Sequence, residues 1–214
     1  MQKDDATIFA RFKATNISVA EFDHPFWQAA PPASIHRLWS GAVAPASRHA
    51  EARIIWTDES LTVRFICNQL EPLLVNSHPD LSRKKIGLWE TDVCELFIAP
   101  GSETPCRYLE FEVAPTGEWI DLVIDFTSGE RQTDWEFHSG MIAAARVSDG
   151  VVAMVMQVPW SHSLPRPEPN DVWRGNLFRC IGVGSKRYLA WQPTGTPEPL
   201  FHVPEAFGSI QFVE

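Results

Sequence analysis

The chain has 214 residues, of which 44% are hydrophobic, and its formal net charge of −9 combines 27 acidic with 18 basic residues. The basic residues are scattered, and their longest run is only Arg83-Lys84-Lys85, which argues against nucleic acid or an anionic membrane as a partner. The apolar content supports a buried core, and the length is compatible with one all-β domain over residues 1–214.

At the N-terminus, the stretch Met1–Asp5 is polar and acidic. It lacks the apolar run of a signal peptide, and no segment reaches the length of a membrane span, about 20 apolar residues. As written, the sequence predicts a cytoplasmic protein.

From residue 51 onward, short apolar segments alternate with turn residues. Thr57–Ser60, Pro100–Pro105 and Asp149–Gly150 each separate two such segments, which is the pattern of β-hairpins. About ten strands without a helical repeat predict an antiparallel β-sandwich or jelly roll. The predicted strands are residues 52–56, 61–67, 92–99, 107–114, 119–126, 141–147, 151–158, 173–183, 188–191 and 209–213.

Three glutamates are expected on one face of this sheet. Side chains alternate along a strand, so Glu95 shares its face with Val93 and Phe97, and Glu110 shares its face with Glu112. Such carboxylates need partners, because an unpaired buried charge costs several kcal/mol. Two interpretations stay open, namely a ligand with hydroxyl groups or an internal cluster of glutamates and arginines.

Aromatic residues give a second hint of a ligand. The chain has nine tryptophans and thirteen phenylalanines but two tyrosines, and an indole in loop-like sequence is a better ligand contact than one in a core strand. Trp89 lies in such sequence, directly before the strand of Glu95. A sugar suits the combination, since its C–H faces pack on aromatic rings and its hydroxyls bond carboxylates.

Several motifs resemble those of family 9 carbohydrate-binding modules, especially standalone bacterial relatives with a DOMON-like, immunoglobulin-like sandwich. Trp89-Glu-Thr-Asp-Val-Cys-Glu95-Leu-Phe is similar to the family's W-x-x-D-x-V/C-E-x-F strand, and Tyr108-Leu-Glu-Phe-Glu-Val-Ala-Pro-Thr-Gly117 is similar to Y-x-E-F-E-V-N-P-x-G. Further similar segments are Pro25-Phe26-Trp27, residues 56–61, Trp173-Arg-Gly-Asn176-Leu-Phe-Arg179, Ala190-Trp191-Gln-Pro193 and residues 201–208.

The resemblance implies non-catalytic binding of a mono- or oligosaccharide, with a role in carbohydrate catabolism, sometimes beside a glycoside hydrolase. Family relatives are commonly secreted. By resemblance, Trp89 and Phe201 hold the sugar between their rings and Glu95 bonds its hydroxyls. Phe201 stands where characterised sugar binders have Trp, and Glu112 stands where a sugar-contacting Arg is expected.

Arg174, Asn176 and Arg179 lie on a late strand and are further candidates for the sugar site. They could donate hydrogen bonds to the ligand. In the alternative interpretation, the two arginines neutralise the glutamates or cap strand ends.

Two other function classes stay open. A glycoside hydrolase would use Glu95 with Glu110 or Glu112, since such enzymes need carboxyls roughly 5 to 9.5 Å apart. A haem-binding DOMON-like domain would use axial ligands such as those of Met141, Met154 and Met156, although core filling explains these methionines better.

The sequence predicts no cofactor. The seven histidines lack zinc-site spacing. The family often carries structural calcium, for which the candidate ligands are Asp58, Glu59, Asp121 and Asp125. Of the four cysteines, Cys67, Cys94 and Cys180 lie in apolar runs and are expected to be buried free thiols.

Overall fold

The computed structural model describes residues 6–184 and 187–214, and within them the fold is built almost entirely of β-strands. A single-turn helix, α1, covers Phe26–Ala29, and short 3₁₀ helices include Ala46–Arg48, Leu88–Glu90 and Pro204–Ala206. The strands are β1 Thr7–Phe12, β2 Ala33–Ile35, β3 Arg37–Leu38, β4 Ala50–Trp56, β5 Ser60–Asn68, β6 Val93–Ala99, β7 Arg107–Val113, β8 Trp119–Asp125, β9 Gln132–Asp134, β10 Ile142–Ser148, β11 Val151–Pro159, β12 Val172–Cys180, β13 Tyr188–Ala190 and β14 Gly208–Val213.

All of these strands belong to one hydrogen-bonded sheet that curls into a half-barrel. Eleven strands follow the order β10-β11-β5-β4-β1-β14-β12-β6-β7-β8-β9, while β13 joins β12 to β3 and β2 pairs with β4. The predicted all-β fold is confirmed. The predicted purely antiparallel pairing is wrong, because β1 is parallel to both β14 and β4 and the sheet is therefore mixed.

The hairpins formed where the sequence has local turn signals. Trp56 pairs with Leu61 across the β4–β5 turn, and Ser148 pairs with Val151 across the β10–β11 turn. The β6–β7 hairpin also forms. These strands agree with the predicted ones to within two residues, since turn chemistry and side-chain alternation act over a few neighbouring positions.

The main core lies between the two halves of the curled sheet. Inward-facing side chains such as Phe65 of β5, Phe111 of β7 and Phe212 of β14 are buried there in one cluster. Trp191 belongs to the same cluster, as the sequence predicted. This core joins strands from both halves, and it leaves the outer faces of the sheet to be covered by loops.

Each outer face has a smaller apolar cluster of its own. On the β4–β5–β11 half, the segment that contains Ile17, Phe22 and Trp27 covers Ile55 and Val155. On the other half, loops cover the outer face of β6, β7, β8 and β12. That second outer face carries the predicted glutamates.

No helix in the described ranges is long and apolar enough to cross a membrane. Met1–Asp5, on which the expected absence of a signal peptide depends, lie outside the described residues.

Candidate functional site

A cavity of about 290 Å³ opens on the outer face of β6, β7, β8 and β12. Strand residues form its floor, and loops from four parts of the chain form its walls. The residues that line it are Trp89, Glu90, Glu95, Phe97, Glu110, Leu122, Ile124, Arg131, Thr133, Trp135, Cys180, Arg187, Tyr188, Pro199, Leu200, Phe201 and His202.

The floor contains the three predicted glutamates on one sheet face. Glu95 of β6 and Glu112 of β7 are directly opposite each other across the hairpin, and Glu110 lies two residues before Glu112. All three are buried, and each offers a carboxylate oxygen within 4.8 Å of the others. Glu95 accepts a weak hydrogen bond from the Cys180 thiol at 3.5 Å.

The ionisation of these glutamates is strongly affected by the site. Burial raises the pKa of Glu110 to about 7, and the nearby guanidinium of Arg131 opposes that rise. Burial also raises the pKa of Glu95 and of Glu112 well above the usual range, and the neighbouring carboxylates add to both effects. Carboxylates this close cannot all ionise without a compensating positive charge.

Two indoles form one wall of the cavity. Gly87 has a φ of 81°, in the left-handed region that favours glycine, and it leads into the 3₁₀ helix that carries Trp89. The ring of Trp89 contacts that of Trp135, with centroids 6.1 Å apart and an interplanar angle of 39°. A sugar ring between two aromatic rings needs a spacing of about 7–8 Å, twice the usual carbon contact distance. The two indoles therefore form one continuous surface.

Phe201 presents a second aromatic surface. One face of its ring is stacked on Phe178, with centroids 4.0 Å apart and nearly parallel planes, and its edge meets Tyr188. The stacking on Phe178 fixes the plane of the Phe201 ring and leaves its opposite face for other contacts. Phe201 is partly buried and lines the cavity.

Arginines supply positive charge at the same cavity. Arg187 donates a hydrogen bond to the carbonyl of Thr91 at 2.9 Å, and its guanidinium lies 5.3 Å from the centre of the Tyr188 ring. Arg131 is exposed and close enough to Glu110 to affect its pKa. The cavity thus combines acceptors at its floor with donors along its walls.

A neutral histidine completes one wall. His202 shares a 2.8 Å hydrogen bond with the hydroxyl of Tyr108 and stacks on Phe97. Burial lowers the pKa of His202 to about 3, so its ring is uncharged near neutral pH.

Arg131 and Trp135 flank β9, which pairs with β8, and the turn that follows Trp135 is tied to the sheet by a buried ion pair. Lys84 Nζ lies 2.9 Å from Asp121 Oδ1, and the other oxygen of Asp121 accepts hydrogen bonds from the backbone N–H and hydroxyl of Ser139. Lys84 also donates to the carbonyl of Phe137. These bonds hold the chain directly after Trp135 in place.

Trp89, Glu95 and Phe201, three of the residues singled out in the sequence, line this cavity together. Glu112 lies in the same acidic cluster but behind the lining, fully buried. Whether these residues contact a sugar stays a prediction.

The three candidates on β12 do not line the cavity, although Arg174 and Asn176 share the sheet face of Glu95, and their contact with a sugar stays a prediction. Arg174 donates to the carbonyl of Phe207, and Asn176 bonds the backbone of Gln192 in both directions. Side chains alternate along β12, and Arg179 is an odd number of residues away from Arg174 and from Asn176. Arg179 therefore lies on the sheet face opposite to these two residues. All three side chains thus hydrogen-bond other parts of the protein.

The cavity also contains residues that sequence reasoning missed, above all Arg131, Trp135, Arg187 and Tyr188. Trp135 had a detectable signal, because it is an indole in a polar stretch between strands, as Trp89 is. The two arginines had none, since their position depends on how loops from distant parts of the chain meet.

The candidate calcium ligands do not come together. Asp58 pairs with Arg166 at 2.7 Å, Asp121 with Lys84, and Asp125 bonds the backbone and hydroxyl of Thr127. Glu59 accepts from the side chain of Asn16. At Asp121 a lysine ammonium already provides the positive charge that a metal ion would bring.

The sulfur-containing residues mostly fill the core. Met141, Met154 and Met156 are buried in the main cluster, on the other side of the sheet from the cavity. Cys67, Cys94 and Cys180 are buried free thiols, as predicted, and Cys106 is an exposed one. The sulfur atoms of Cys67 and Cys94 are 3.5 Å apart.

The fold is shared with solved carbohydrate-binding structures. A candidate carbohydrate-binding protein from Bacteroides uniformis has a TM-score of 0.74 at 17% identity, over 96% of this chain and 98% of that one. Family 9 carbohydrate-binding modules from Caldicellulosiruptor kristjanssonii, in complex with cellotriose and with glucose, have TM-scores of 0.62 and 0.61 at 13% and 14% identity. These alignments cover 97% and 96% of this chain and 93% and 95% of the modules. The resemblance to the fold of family 9 is confirmed.

Sequence similarity to known proteins is weaker. An extracellular protein of Arthroderma benhamiae is 27% identical over an alignment 142 residues long, and the alignment covers 59% of this chain and 63% of that protein. The match thus spans less than two thirds of the relative's length. No family model matches the sequence.

Proposed function

We propose that the protein is a non-catalytic carbohydrate-binding module that holds a mono- or oligosaccharide in this cavity. The observation that carries the proposal is one cavity that combines aromatic walls with carboxylates and arginines. A sugar offers C–H faces to aromatic rings and hydroxyls to both charged groups. At about 290 Å³ the cavity is near the small end of ligand pockets, which favours a single sugar or a chain end.

In this proposal, one sugar face packs on the indole surface of Trp89 and Trp135, and Phe201 contacts the ligand with its free face. Glu95 accepts hydrogen bonds from hydroxyls, while Arg131 and Arg187 donate to sugar oxygens. The fold that this chain shares with modules bound to glucose and cellotriose supports the choice of ligand class.

The alternatives receive less support. A glycosidase pair stands on either side of the bond it cleaves, whereas Glu95, Glu110 and Glu112 form one buried cluster at the floor of the cavity. A haem site would need an axial ligand at the cavity, and the residues described as lining it include no methionine, while His202 is bonded to Tyr108.

Calorimetric titration tests the proposal. The panel contains glucose, xylose, galactose and mannose, and their short β-linked oligomers, including cellotriose. We expect at least one of these sugars to bind, and Trp89→Ala and Trp135→Ala to weaken that binding roughly tenfold or more, since each removes a stacking surface.

The matched control is Phe9→Ala, which removes another aromatic ring that is 40% exposed, as Trp135 is, but from β1. Its affinity should equal that of the unchanged protein. No binding across the panel, or full binding by both Trp variants, would contradict the proposal.

We also propose a wider context in two parts. Sugar binding in this cavity serves carbohydrate catabolism, next to a glycoside hydrolase.

Residues 1–214 form one domain, a proposal supported by β1, which pairs with β14 near the other end of the chain.

A further inference from the structure

Glu95, Glu110 and Glu112 converge in a way that suits a common positive ligand. Each contributes an oxygen within 4.8 Å of the other two. Two oxygens that bind the same Ca²⁺ at about 2.3–2.6 Å are at most about 5 Å apart. The hairpin register that places Glu95 opposite Glu112, with Glu110 on the same face, therefore produces the spacing of ligands around one ion.

Two members of the cluster, Glu110 and Glu112, lack donors from the rest of the described chain, which buried carboxylates ordinarily have. Among the described residues, no donor from outside the cluster reaches Glu110 Oε2 or either oxygen of Glu112, although these side chains are 96% and 100% buried. The carboxyl groups of Glu110 and Glu112 hydrogen-bond each other, which requires that one of them holds a proton. Across residues 6–184 and 187–214, no ion pair within 4.0 Å involves any of the three glutamates. Such groups nearly always have partners in native proteins.

Other buried acids in this protein do have partners. Glu118, which is 1% exposed, accepts from Asn76, from the Thr116 hydroxyl and from the Asp80 backbone. Asp121, fully buried, has Lys84 and Ser139. Glu118 thus has several donors, and Asp121 has donors on one oxygen and the Lys84 ammonium beside the other, although that contact is an ion pair without a hydrogen bond. Within residues 6–184 and 187–214, Glu110 and Glu112 have neither a donor from outside the cluster nor an ion pair.

An ion could reach these carboxylates, because Glu95 and Glu110 line the cavity. Carboxylate oxygens are the ligands preferred by hard divalent ions such as Ca²⁺, Mg²⁺ and Mn²⁺. Water in the cavity could complete the coordination. The Cys180 thiol, which donates a hydrogen bond to Glu95, is a softer ligand than the carboxylates and lies at the edge of the cluster.

We propose that Glu95, Glu110 and Glu112 bind one hard divalent cation at the floor of the cavity. The site differs from the calcium ligands suggested by the sequence, Asp58, Glu59, Asp121 and Asp125, and it does not depend on whether the cavity binds sugar. The ion would neutralise two of the three negative charges and fix the carboxylates that form the cavity floor.

Metal titration without any sugar tests this. The protein is stripped with EDTA, dialysed, and titrated by calorimetry with CaCl₂, MgCl₂ and MnCl₂, and bound Mn²⁺ is counted by electron paramagnetic resonance. We expect one ion per chain from at least one salt, a rise in Tm of roughly 5 °C at saturation, and affinity at least about tenfold lower in Glu110→Gln and Glu112→Gln.

Glu118→Gln is the matched control, because it makes the same change at an equally buried glutamate outside the cluster. It should keep the affinity for the ion. If none of the three salts binds, or if both cluster variants bind as tightly as the unchanged protein, the site is not a cation site. Circular dichroism shows which variants fold, and either cluster variant alone is sufficient for the comparison.

Discussion

Glu110 is the residue whose proton should be most visible in the stability of the metal-free protein. Burial raises its pKa from 4.5 to about 7. The folded state therefore holds the proton more tightly than the unfolded state does. The stabilising contribution is complete below about pH 4.5 and is lost as pH rises through about 7.

Glu110→Gln removes this titration while keeping the shape of the side chain. In EDTA, the free energy of unfolding of the unchanged protein should fall relative to that of the variant between pH 5 and 8, by on the order of 3 kcal/mol. Urea unfolding at several pH values measures it. The lowered pKa of His202 changes the free energy of unfolding with pH in the opposite direction. This change is the same in the unchanged protein and in the variant, so it cancels in the comparison. A pH-independent difference would show that Glu110 ionises normally.

Arg179 is a buried arginine whose hydrogen bonds all go to other parts of the protein, as expected of a structural residue. Its guanidinium donates to the carbonyls of Arg48, His49 and Asn68, and to the side chain of Gln69, over 2.8–3.0 Å. These bonds join β12 to the end of β5 and to the segment before β4, in the other half of the sheet. Each acceptor left buried without a donor costs about 1–3 kcal/mol.

Arg179→Met should therefore lower the free energy of unfolding by roughly 3 kcal/mol or more, while the folded variant keeps the affinity of the unchanged protein for its ligand. Urea unfolding and calorimetry measure the two properties. Arg107→Met is the control, since Arg107 is exposed and its partner Asp125 is 3.7 Å away, and its effect should stay within about 0.5 kcal/mol. A loss of affinity in folded Arg179→Met would restore Arg179 to the binding site.

At the scale of elements, β12 and β14 pair through two glycines, and neighbouring residues pack closely against both of them. Gly175 and Gly208 are directly opposite in the sheet. A Cβ at Gly208 would overlap the indole of Trp191 and lie 2.9 Å from the carbonyl of Ala6. Glycine is thus required here by space, because the core indole fills the position of a side chain.

Gly208→Ala should destabilise the protein by about 1–3 kcal/mol, the usual cost of overpacking, and shift the fluorescence of Trp191 as the indole moves. Thermal unfolding and emission spectra measure both effects. Ser209→Ala, at the next position of β14, should change stability by less than about 0.5 kcal/mol. Equal stability of the two variants would mean that the indole moves without cost.

The elements differ in how far the sequence could predict them. The β6–β7 hairpin was accessible, because alternation around Glu95 and Glu110 and a polar turn are local features. The same alternation assigns Arg179 and Asn176 to opposite faces of β12, and grouping them with the glutamates overlooked it. Arg131 could not be placed, since it precedes the three-residue strand β9, which the sequence did not predict and whose pairing with β8 fixes its position.

For the whole molecule, β1 is the least predictable element and a central one. It pairs in parallel with β14 through Thr7–Ser209 to Arg11–Val213, and with β4 at its far end. No local turn signal predicts a contact between residues about two hundred positions apart. Its position makes the two halves of the sheet continuous, and the main core between them is shared.

Because both halves contribute to one sheet and one core, they should unfold together. In urea, tryptophan fluorescence, far-UV circular dichroism and hydrogen exchange of peptides from β5 and from β7 should give one midpoint. Ile8→Ala, at a buried position of β1, should lower the stability of both halves equally, by about 2–5 kcal/mol. Separate midpoints for the β5 and β7 peptides, or a shift of only one of them in Ile8→Ala, would contradict the proposal of one domain. A common shift would mean that β1 couples the half that carries the cavity to the half that does not.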